Sequence, residues 1–285
     1  MSALAGLTPM QALRGVQDML GAYDDARSDA RLIVCHVLGC DLGGLLMRQV
    51  PLTPAQAQQI QVLAAKRRAH VPVQYLLGEA YFYGRRFSVT SDVLIPRFDS
   101  ESMIAWAVGH LPPRGRAVDV CTGSGCLAVT LKLERPDADV CASDISDAAL
   151  RVAKHNAKAL GAEIAWAQGN LLQPFGAQRF DCILANPPYI PTADLDGLQQ
   201  EVAAHEPRLA LDGGTDGLVL MRALVQQAKA LLHPGGLLCV EMGYDQGERV
   251  AALFAANAMT NIEIHLDMER RPRFVTGTRK EERAC

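Results

Sequence analysis

The tetrapeptide Asn186-Pro187-Pro188-Tyr189 is the part of the sequence whose residue types point most directly to chemistry. It follows a short apolar run that is typical of a buried parallel strand, and ligands of open α/β sheets bind at the carboxyl ends of such strands. Asn186 and Pro187 offer two carbonyl oxygens, and Tyr189 offers a flat ring. A planar NH2 group would donate both protons to these oxygens while its face lies against the ring. The tetrapeptide therefore predicts a site for a nitrogen nucleophile, with Asn186, Pro187 and Tyr189 as catalytic residues and Pro188 beside them in substrate binding.

A second candidate site is a strand end that enters a glycine turn and then a helix, from Asp119 to Gly125. Glycine lets the backbone turn tightly and approach a ligand closely. Asp144 ends the next strand, where an acid can accept from both hydroxyls of a ribose. A dinucleotide site needs a third glycine near positions 126–128, and none is present there. Asp119 would repel a pyrophosphate but attract an ammonium group, so the pattern favours S-adenosylmethionine over a dinucleotide.

The composition narrows the class of protein. A chain of 285 residues that is 49% hydrophobic can bury a large core, and a net charge of −3 gives no electrostatic case for direct nucleic-acid binding. The eight cysteines show no paired or metal-ligand spacing, so we expect reduced thiols, no metal and a cytoplasmic location. No apolar run reaches the roughly 18–20 residues of a membrane span, and the amino terminus lacks a signal-peptide pattern. We expect a monomer that does not bind membranes.

The elements that position these residues are predicted from periodicity and capping signals. Three amphipathic helices are expected in the first 70 residues, because Thr8 and Thr53 each begin a capping box followed by proline and residues 28–38 have helical spacing. We assign this helical bundle to residues 1–72. Residues 73–98 follow as a linker with a β-hairpin around a glycine turn.

Residues 99–285 alternate strands and helices, which predicts a mostly parallel, doubly wound, seven-stranded sheet. The predicted strands are 117–120, 139–143, 164–168, 181–185, 237–242, 262–266 and 273–278. The last two have no helix between them, which indicates a terminal antiparallel hairpin. The tetrapeptide then reaches the same edge of the sheet as the glycine turn and Asp144.

Together these residues resemble the class I methyltransferases of the HemK type, which methylate glutamine side chains of release factors. The resemblance covers about residues 10–280 and is carried by 72–78, 94–101, 119–125, Asp144, 186–189 and 205–211. It implies a Rossmann-like fold and methyl transfer from S-adenosylmethionine, with S-adenosylhomocysteine as product. The implied substrate is the amide nitrogen, N5, of the glutamine in a Gly-Gly-Gln motif of peptide-chain release factors. The amino-terminal helices would contact the release factor.

The resemblance also implies a set of cofactor-binding residues, carried over by position. They are Asp119, Cys121, Thr122, Gly123, Ser124, Gly125, Asp144, Asn170, Leu171 and Asn186. This chain departs from the family pattern at Cys121, where glycine is common, and at Phe98, where proline is usual. Asn170 and Leu171 replace an acid and a bulky residue near the adenine. Arg97 is expected to order a loop or to pair with an acid.

An amide nitrogen is a poor nucleophile, so this chemistry needs positioning and electrostatics rather than a strong base. Three other functions stay open at this point. One is methylation of a glutamine in a large-subunit ribosomal protein, which residues 119–126 and 205–207 favour, although residues 97–101 and 211–214 favour release factors. Another is DNA adenine-N6 methylation, because the tetrapeptide would bind the NH2 group of a flipped adenine equally well. The net negative charge of the chain disfavours this function. The last is a non-catalytic adaptor, which the intact tetrapeptide and Asp144 disfavour.

Overall fold

The computed structural model describes residues 4–280 apart from 22 and 24, and the chain forms two compact units. In chain order the helices are α1 (Pro9–Leu20), α2 (Ala26–Leu38), α3 (Leu42–Met47), α4 (Pro54–Arg68), α5 (Val73–Leu77), α6 (Ser100–His110), α7 (Cys126–Glu134), α8 (Asp147–Leu160), α9 (Gln200–His205), α10 (Val219–Leu231) and α11 (Gly247–Ala256). The strands are β1 (Glu79–Phe82), β2 (Arg85–Ser88), β3 (Arg116–Val120), β4 (Asp139–Asp144), β5 (Ala165–Gln168), β6 (Phe180–Ala185), β7 (Leu232–Glu241), β8 (Met259–Leu266) and β9 (Pro272–Arg279).

The first unit extends to Glu79 and also takes in Gln199–His205. Both predicted capping boxes are present, since the Thr8 and Thr53 side chains accept from the backbone of the third helical residue. The prediction of three helices was incomplete, because the short helix α3 lies between α2 and α4. Its Leu-Gly-Gly-Leu-Leu-Met sequence has low helix propensity. The Asp41 side chain caps α3 by accepting from Gly44 N at 2.7 Å.

A buried ion cluster explains why the segment Gln199–His205 belongs with the amino-terminal helices. Arg67 is 7% exposed and donates to Asp29 at 2.6 Å and to Glu201 at 2.9 Å. Its guanidinium also lies 4.5 Å from the centre of the Tyr23 ring. Because a buried guanidinium needs acceptors for several N–H groups, Glu201 is held firmly in this unit.

The second unit contains Ala80–Leu198 and the chain from Glu206 onward. Its seven-stranded sheet has the order β5-β4-β3-β6-β7-β9-β8. Strands β3 to β7 pair in parallel, whereas β9 is antiparallel to both of its neighbours. The predicted sheet and its terminal hairpin are therefore confirmed, although β7 begins at Leu232 and β8 at Met259, both earlier than predicted.

The register of the sheet brings the ends of four strands level. Val120 pairs with Ser143 on one side and with Ala185 on the other, and Ala185 pairs with Val240. The sheet changes direction of winding around β3, and ligands of doubly wound sheets bind at such a switch point. Alternate residues of β3 and β6 enter apolar clusters on opposite faces of the sheet.

No helix in the described part of the chain is long and apolar enough to cross a membrane.

Candidate active site

A cavity of about 280 Å³ lies in the second unit at the carboxyl edge of the sheet. Its lining includes these residues that were predicted from the sequence: Cys121, Thr122, Gly123, Ser124, Asp144, Asn170, Leu171, Asn186 and Pro188. Asp119, Gly125, Pro187 and Tyr189 were also predicted but are not among the lining residues. Much of the remaining wall is formed by residues 91–94, Pro96, Arg97, Pro207, Leu209 and Ala210.

The glycine turn between β3 and α7 has an unusual backbone. Cys121, Gly123 and Gly125 all have positive φ, at 60°, 54° and 80°. A left-handed residue other than glycine is strained, so Cys121 adopts a conformation that glycine would adopt without cost. A Cβ atom at Gly125 would lie 3.0 Å from Ala153 Cβ on α8, whereas one at Gly123 would meet nothing within 4 Å. Gly125 thus permits close packing, while Gly123 keeps space open at the cavity.

Asp144 holds the turn from the end of β4. Its Oδ2 accepts from Gly123 N at 2.9 Å, and its Oδ1 accepts from Ser146 N at 2.9 Å. Burial raises the pKa of this carboxyl, and the backbone N–H donors oppose that rise. A carboxylate has about four acceptor positions, so each oxygen keeps capacity for a ribose hydroxyl.

Asp119 lies beneath the turn and is only 1% exposed. Its Oδ2 accepts from Thr122 Oγ1 at 2.6 Å and from Ala128 N at 3.2 Å, so it satisfies a backbone donor in the first turn of α7. Its Oδ1 is buried without a hydrogen-bond partner among the described residues. Burial raises the pKa of Asp119 to about 7. One oxygen of Asp119 therefore supports the start of α7, and the other is left without a protein donor among the described residues.

The loop after β5 contributes Asn170 and Leu171 to the cavity. Leu171 is buried with a φ of 53°, and its carbonyl accepts from Ser143 Oγ at 2.9 Å. This bond to β4 holds a strained leucine in place, as is common where a backbone shapes a ligand site. Asn170 is exposed, so its amide is available at the cavity rim.

The Asn186–Tyr189 loop packs against a second loop that is rich in glycine. A Cβ atom at Gly217 would lie 2.3 Å from the Tyr189 carbonyl oxygen, and one at Gly213 would lie 2.8 Å from the Pro188 carbonyl oxygen. The Tyr189 carbonyl also accepts from Gln246 Nε2 at 2.8 Å. The ring of Tyr189 packs against the apolar core on one face of the sheet. These contacts fix the backbone that presents Asn186.

One functional candidate beside Asn186, Glu241, was missed in the sequence. Glu241, at the end of β7, is 1% exposed, and its Oε2 accepts from Ser100 Oγ at 2.5 Å. Burial raises the pKa of Glu241 to about 7, while Ser100, Arg273 and Asn186 lower it. The sequence pattern that could have identified Glu241 is an acid directly after the apolar residues of a buried strand.

Arg97 lines the cavity and donates to Glu206 Oε1 at 2.7 Å, as expected of an arginine that pairs with an acid. Burial raises the pKa of Glu206, and Arg97 opposes the rise. His205 belongs to the first unit and is not among the residues that line the cavity.

A sheet of this order, with the glycine turn after β3, an acid ending β4 and Asn-Pro-Pro-Tyr after β6, defines a class I methyltransferase. A family model described as the PrmC N-terminal domain matches residues 11–78, and a model of the methyltransferase small domain matches residues 80–215. The release factor glutamine methyltransferase of Cereibacter sphaeroides is 41% identical over 271 residues, which cover 93% of this chain and 96% of the relative. This chain belongs to the release factor glutamine methyltransferase family, as its sequence resemblance indicated.

Other comparisons agree with this assignment. The release factor glutamine methyltransferase of Geobacter sulfurreducens is 42% identical over 233 residues, covering 81% of this chain and 82% of the relative. A solved methyltransferase from Pyrococcus furiosus is only 13% identical, with a TM-score of 0.54 over 76% of this chain and 99% of that structure. The latter similarity concerns the fold alone.

Proposed function

We propose that this protein transfers a methyl group from S-adenosylmethionine to the side-chain amide nitrogen of the glutamine in the Gly-Gly-Gln motif of peptide-chain release factors. The observation that carries the proposal is the placement of Asn186 in the same cavity as the glycine turn and Asp144. The glycine turn and Asp144 recognise a nucleoside, and Asn186 recognises an NH2 group.

The residues of the cavity fit S-adenosylmethionine. Asp144 retains acceptor capacity for ribose hydroxyls, and Asn170 and Leu171 flank the place of the adenine. Asp119 lies beneath the turn rather than in the cavity wall, and we assign its unpartnered Oδ1 to the attraction of the ammonium group by charge, as an acid at that strand end predicts. When bound, the cofactor supplies a methyl group on a positively charged sulfur, which is electrophilic enough for an amide.

The chain's own contribution is to orient and polarise the amide nucleophile. Asn186 Oδ1 and the Pro187 carbonyl each accept one N–H of the substrate, which directs the nitrogen lone pair toward the donor. Orientation of this kind supplies on the order of 7 kcal/mol in favourable cases. As the nitrogen gains positive charge, its N–H bonds to these oxygens strengthen, so they stabilise the transition state selectively. The proton leaves to water after transfer.

The role of Tyr189 as a stacking surface for the substrate amide is part of the same proposal. Its carbonyl is held by Gln246 and its ring packs against the core, so the ring is rigid. A rigid aromatic face next to a developing cation is favourable. We expect Tyr189→Phe to keep most of the turnover and Tyr189→Leu to lose it.

Further parts of the proposal concern location and partners. We propose a cytoplasmic monomer that acts on a protein substrate without direct nucleic-acid contact, since the net charge is −3 and a nucleic-acid binder needs a basic surface. Methyl transfer to a ribosomal protein or to DNA is not part of the proposal, and the assay below tests for both.

The test is a methyl-transfer assay with four separate substrates: a release factor, its Gln→Ala variant in Gly-Gly-Gln, a large-subunit ribosomal protein and duplex DNA. Only the first should accept methyl. Asn186→Ala should abolish transfer while the Kd of S-adenosylmethionine, measured by calorimetry, stays within about twofold. Asn257→Ala, at the end of α11, is the matched control. Near-normal turnover of Asn186→Ala, or equal transfer to the Gln→Ala substrate, would refute the proposal.

A further inference from the structure

The asparagine that receives the substrate amide must face in one direction. Its C=O and NH2 ends have nearly the same size and shape, so packing alone does not choose between them. With Oδ1 in the cavity, Asn186 accepts from a substrate NH2 group. With Nδ2 in the cavity, two NH2 groups would face each other as donors. Catalysis by Asn186 therefore requires a neighbour that distinguishes the two ends by charge.

Glu241 occupies the position from which this choice is made. Strands β6 and β7 run in parallel with Ala185 opposite Val240, so Asn186, which directly follows β6, is level with Glu241, the last residue of β7. Glu241 is 1% exposed, so bulk solvent does not reach its carboxyl group. Its Oε2 accepts from Ser100 Oγ at 2.5 Å, and this bond fixes the rotation of the carboxyl group.

The second oxygen of Glu241 has no such partner. Oε1 is buried and has no hydrogen-bond partner in the described part of the chain. The Asn186 side chain nevertheless lies near enough to lower the pKa of Glu241, which is the effect of an N–H donor on a carboxylate. A buried acid with an unpaired oxygen lowers stability, so its presence here calls for a role beyond packing.

We propose that Glu241 is a positioning residue whose Oε1 accepts from Asn186 Nδ2 and thereby turns Asn186 Oδ1 into the cavity. Ser100 assists by holding the carboxylate in the orientation that leaves Oε1 toward Asn186. A carboxylate has only acceptors, so it stabilises one orientation of the neighbouring amide and opposes the other. This inference rests on the proposed function, because it concerns how the same site receives the substrate NH2 group.

The experiment compares the kcat of wild type, Glu241→Gln, Asn186→Asp and the double variant in transfer to a release factor. In Glu241→Gln, the Ser100 hydroxyl donates to the carbonyl oxygen of the new side chain, which leaves its NH2 group toward Asn186, so Asn186 turns Oδ1 away from the cavity. We expect kcat to fall about 10- to 100-fold with an unchanged Kd for S-adenosylmethionine. Asn186→Asp places two carboxylates together and also loses activity. In the double variant the introduced glutamine donates to one oxygen of the new aspartate and the other oxygen faces the substrate, so kcat should rise above that of Asn186→Asp.

This rescue distinguishes positioning from a structural role, in which the two losses would simply add. Glu248→Gln, at an exposed site on α11, is the matched control and should keep the wild-type kcat. A Glu241→Gln kcat within twofold of wild type, or a double variant no better than Asn186→Asp, would overturn the inference. If Glu241→Gln does not fold, Ser100→Ala decides: a several-fold lower kcat supports the inference and an unchanged kcat overturns it. Failure of the wild-type chain to methylate the release factor refutes the proposed function separately.

Discussion

The two glycines of the cofactor turn offer a matched pair of substitutions whose effects should differ in kind. Both Gly123 and Gly125 have positive φ, so alanine at either position adopts a left-handed conformation. Only at Gly125 would the new Cβ meet a neighbour, at 3.0 Å from Ala153 Cβ and 3.2 Å from Ala153 Cα. Because Cα belongs to the backbone of α8, this contact is not relieved by rotation of a side chain.

The magnitudes follow from these two terms. A left-handed residue with a Cβ costs about 1–2 kcal/mol, and this applies to both variants. Overpacking against α8 adds about 1–3 kcal/mol at position 125. We therefore expect Gly123→Ala to lower the free energy of unfolding by about 1–2 kcal/mol and Gly125→Ala by about 2–5 kcal/mol.

Urea unfolding and calorimetric titration with S-adenosylmethionine measure both effects. Gly123 lines the cavity, so its new methyl group occupies space that the cofactor needs, and we expect the Kd to rise about tenfold, equivalent to about 1.4 kcal/mol. Gly197→Ala, where φ is not positive and a Cβ meets nothing within 4 Å, is the control. If the two turn variants lower the free energy of unfolding equally, contact with α8 does not limit the size of the side chain at position 125.

Three further predictions concern the loop, the buried amide and the buried acid. Gly217→Ala should lower kcat at least tenfold without changing cofactor affinity in calorimetry, because its Cβ would lie 2.3 Å from the Tyr189 carbonyl oxygen. The Asn156 amide donates to two backbone carbonyls, which would face a buried carboxylate in Asn156→Asp. We therefore expect Asn156→Asp to lower the free energy of unfolding in urea by about 2 kcal/mol more than Asn156→Ala does. Folding raises the pKa of Glu241 from 4.5 to about 7, so the unfolded chain loses this proton at a lower pH than the folded chain does. The free energy of unfolding of wild type, measured relative to that of Glu241→Gln, should therefore fall by about 3 kcal/mol as the pH rises from 4.5 to 7.

Each of these has a result that would count against it. A Gly217→Ala variant with full turnover would mean that the loop accommodates a methyl group without moving Tyr189. Equal stability of the two Asn156 variants would mean that water reaches the site. A pH-independent difference between wild type and Glu241→Gln would mean that the carboxyl is not desolvated in the folded state.

Much of the architecture follows from local sequence. The five parallel strands are short apolar runs because both faces of the sheet are covered, and such runs are visible without knowledge of their neighbours. The capping boxes at Thr8 and Thr53 are likewise local, since each pairs residues only three positions apart. The helix α3 was not predicted because its two glycines have low helix propensity. It is stabilised instead by the Asp41 cap and by Leu45 in the core.

The sequence by itself determined which groups are available for chemistry: the glycine turn, Asp144 and the Asn-Pro-Pro-Tyr loop, each at the end of a predictable strand. The tertiary structure decided how they are supported. It placed one oxygen of Asp119 at the start of α7, brought Gly217 against Tyr189, and set Glu241 beside Asn186. These contacts join residues from different strands and loops, and they depend on strand order and register. No local pattern encodes that order, because it is fixed only when the whole sheet packs.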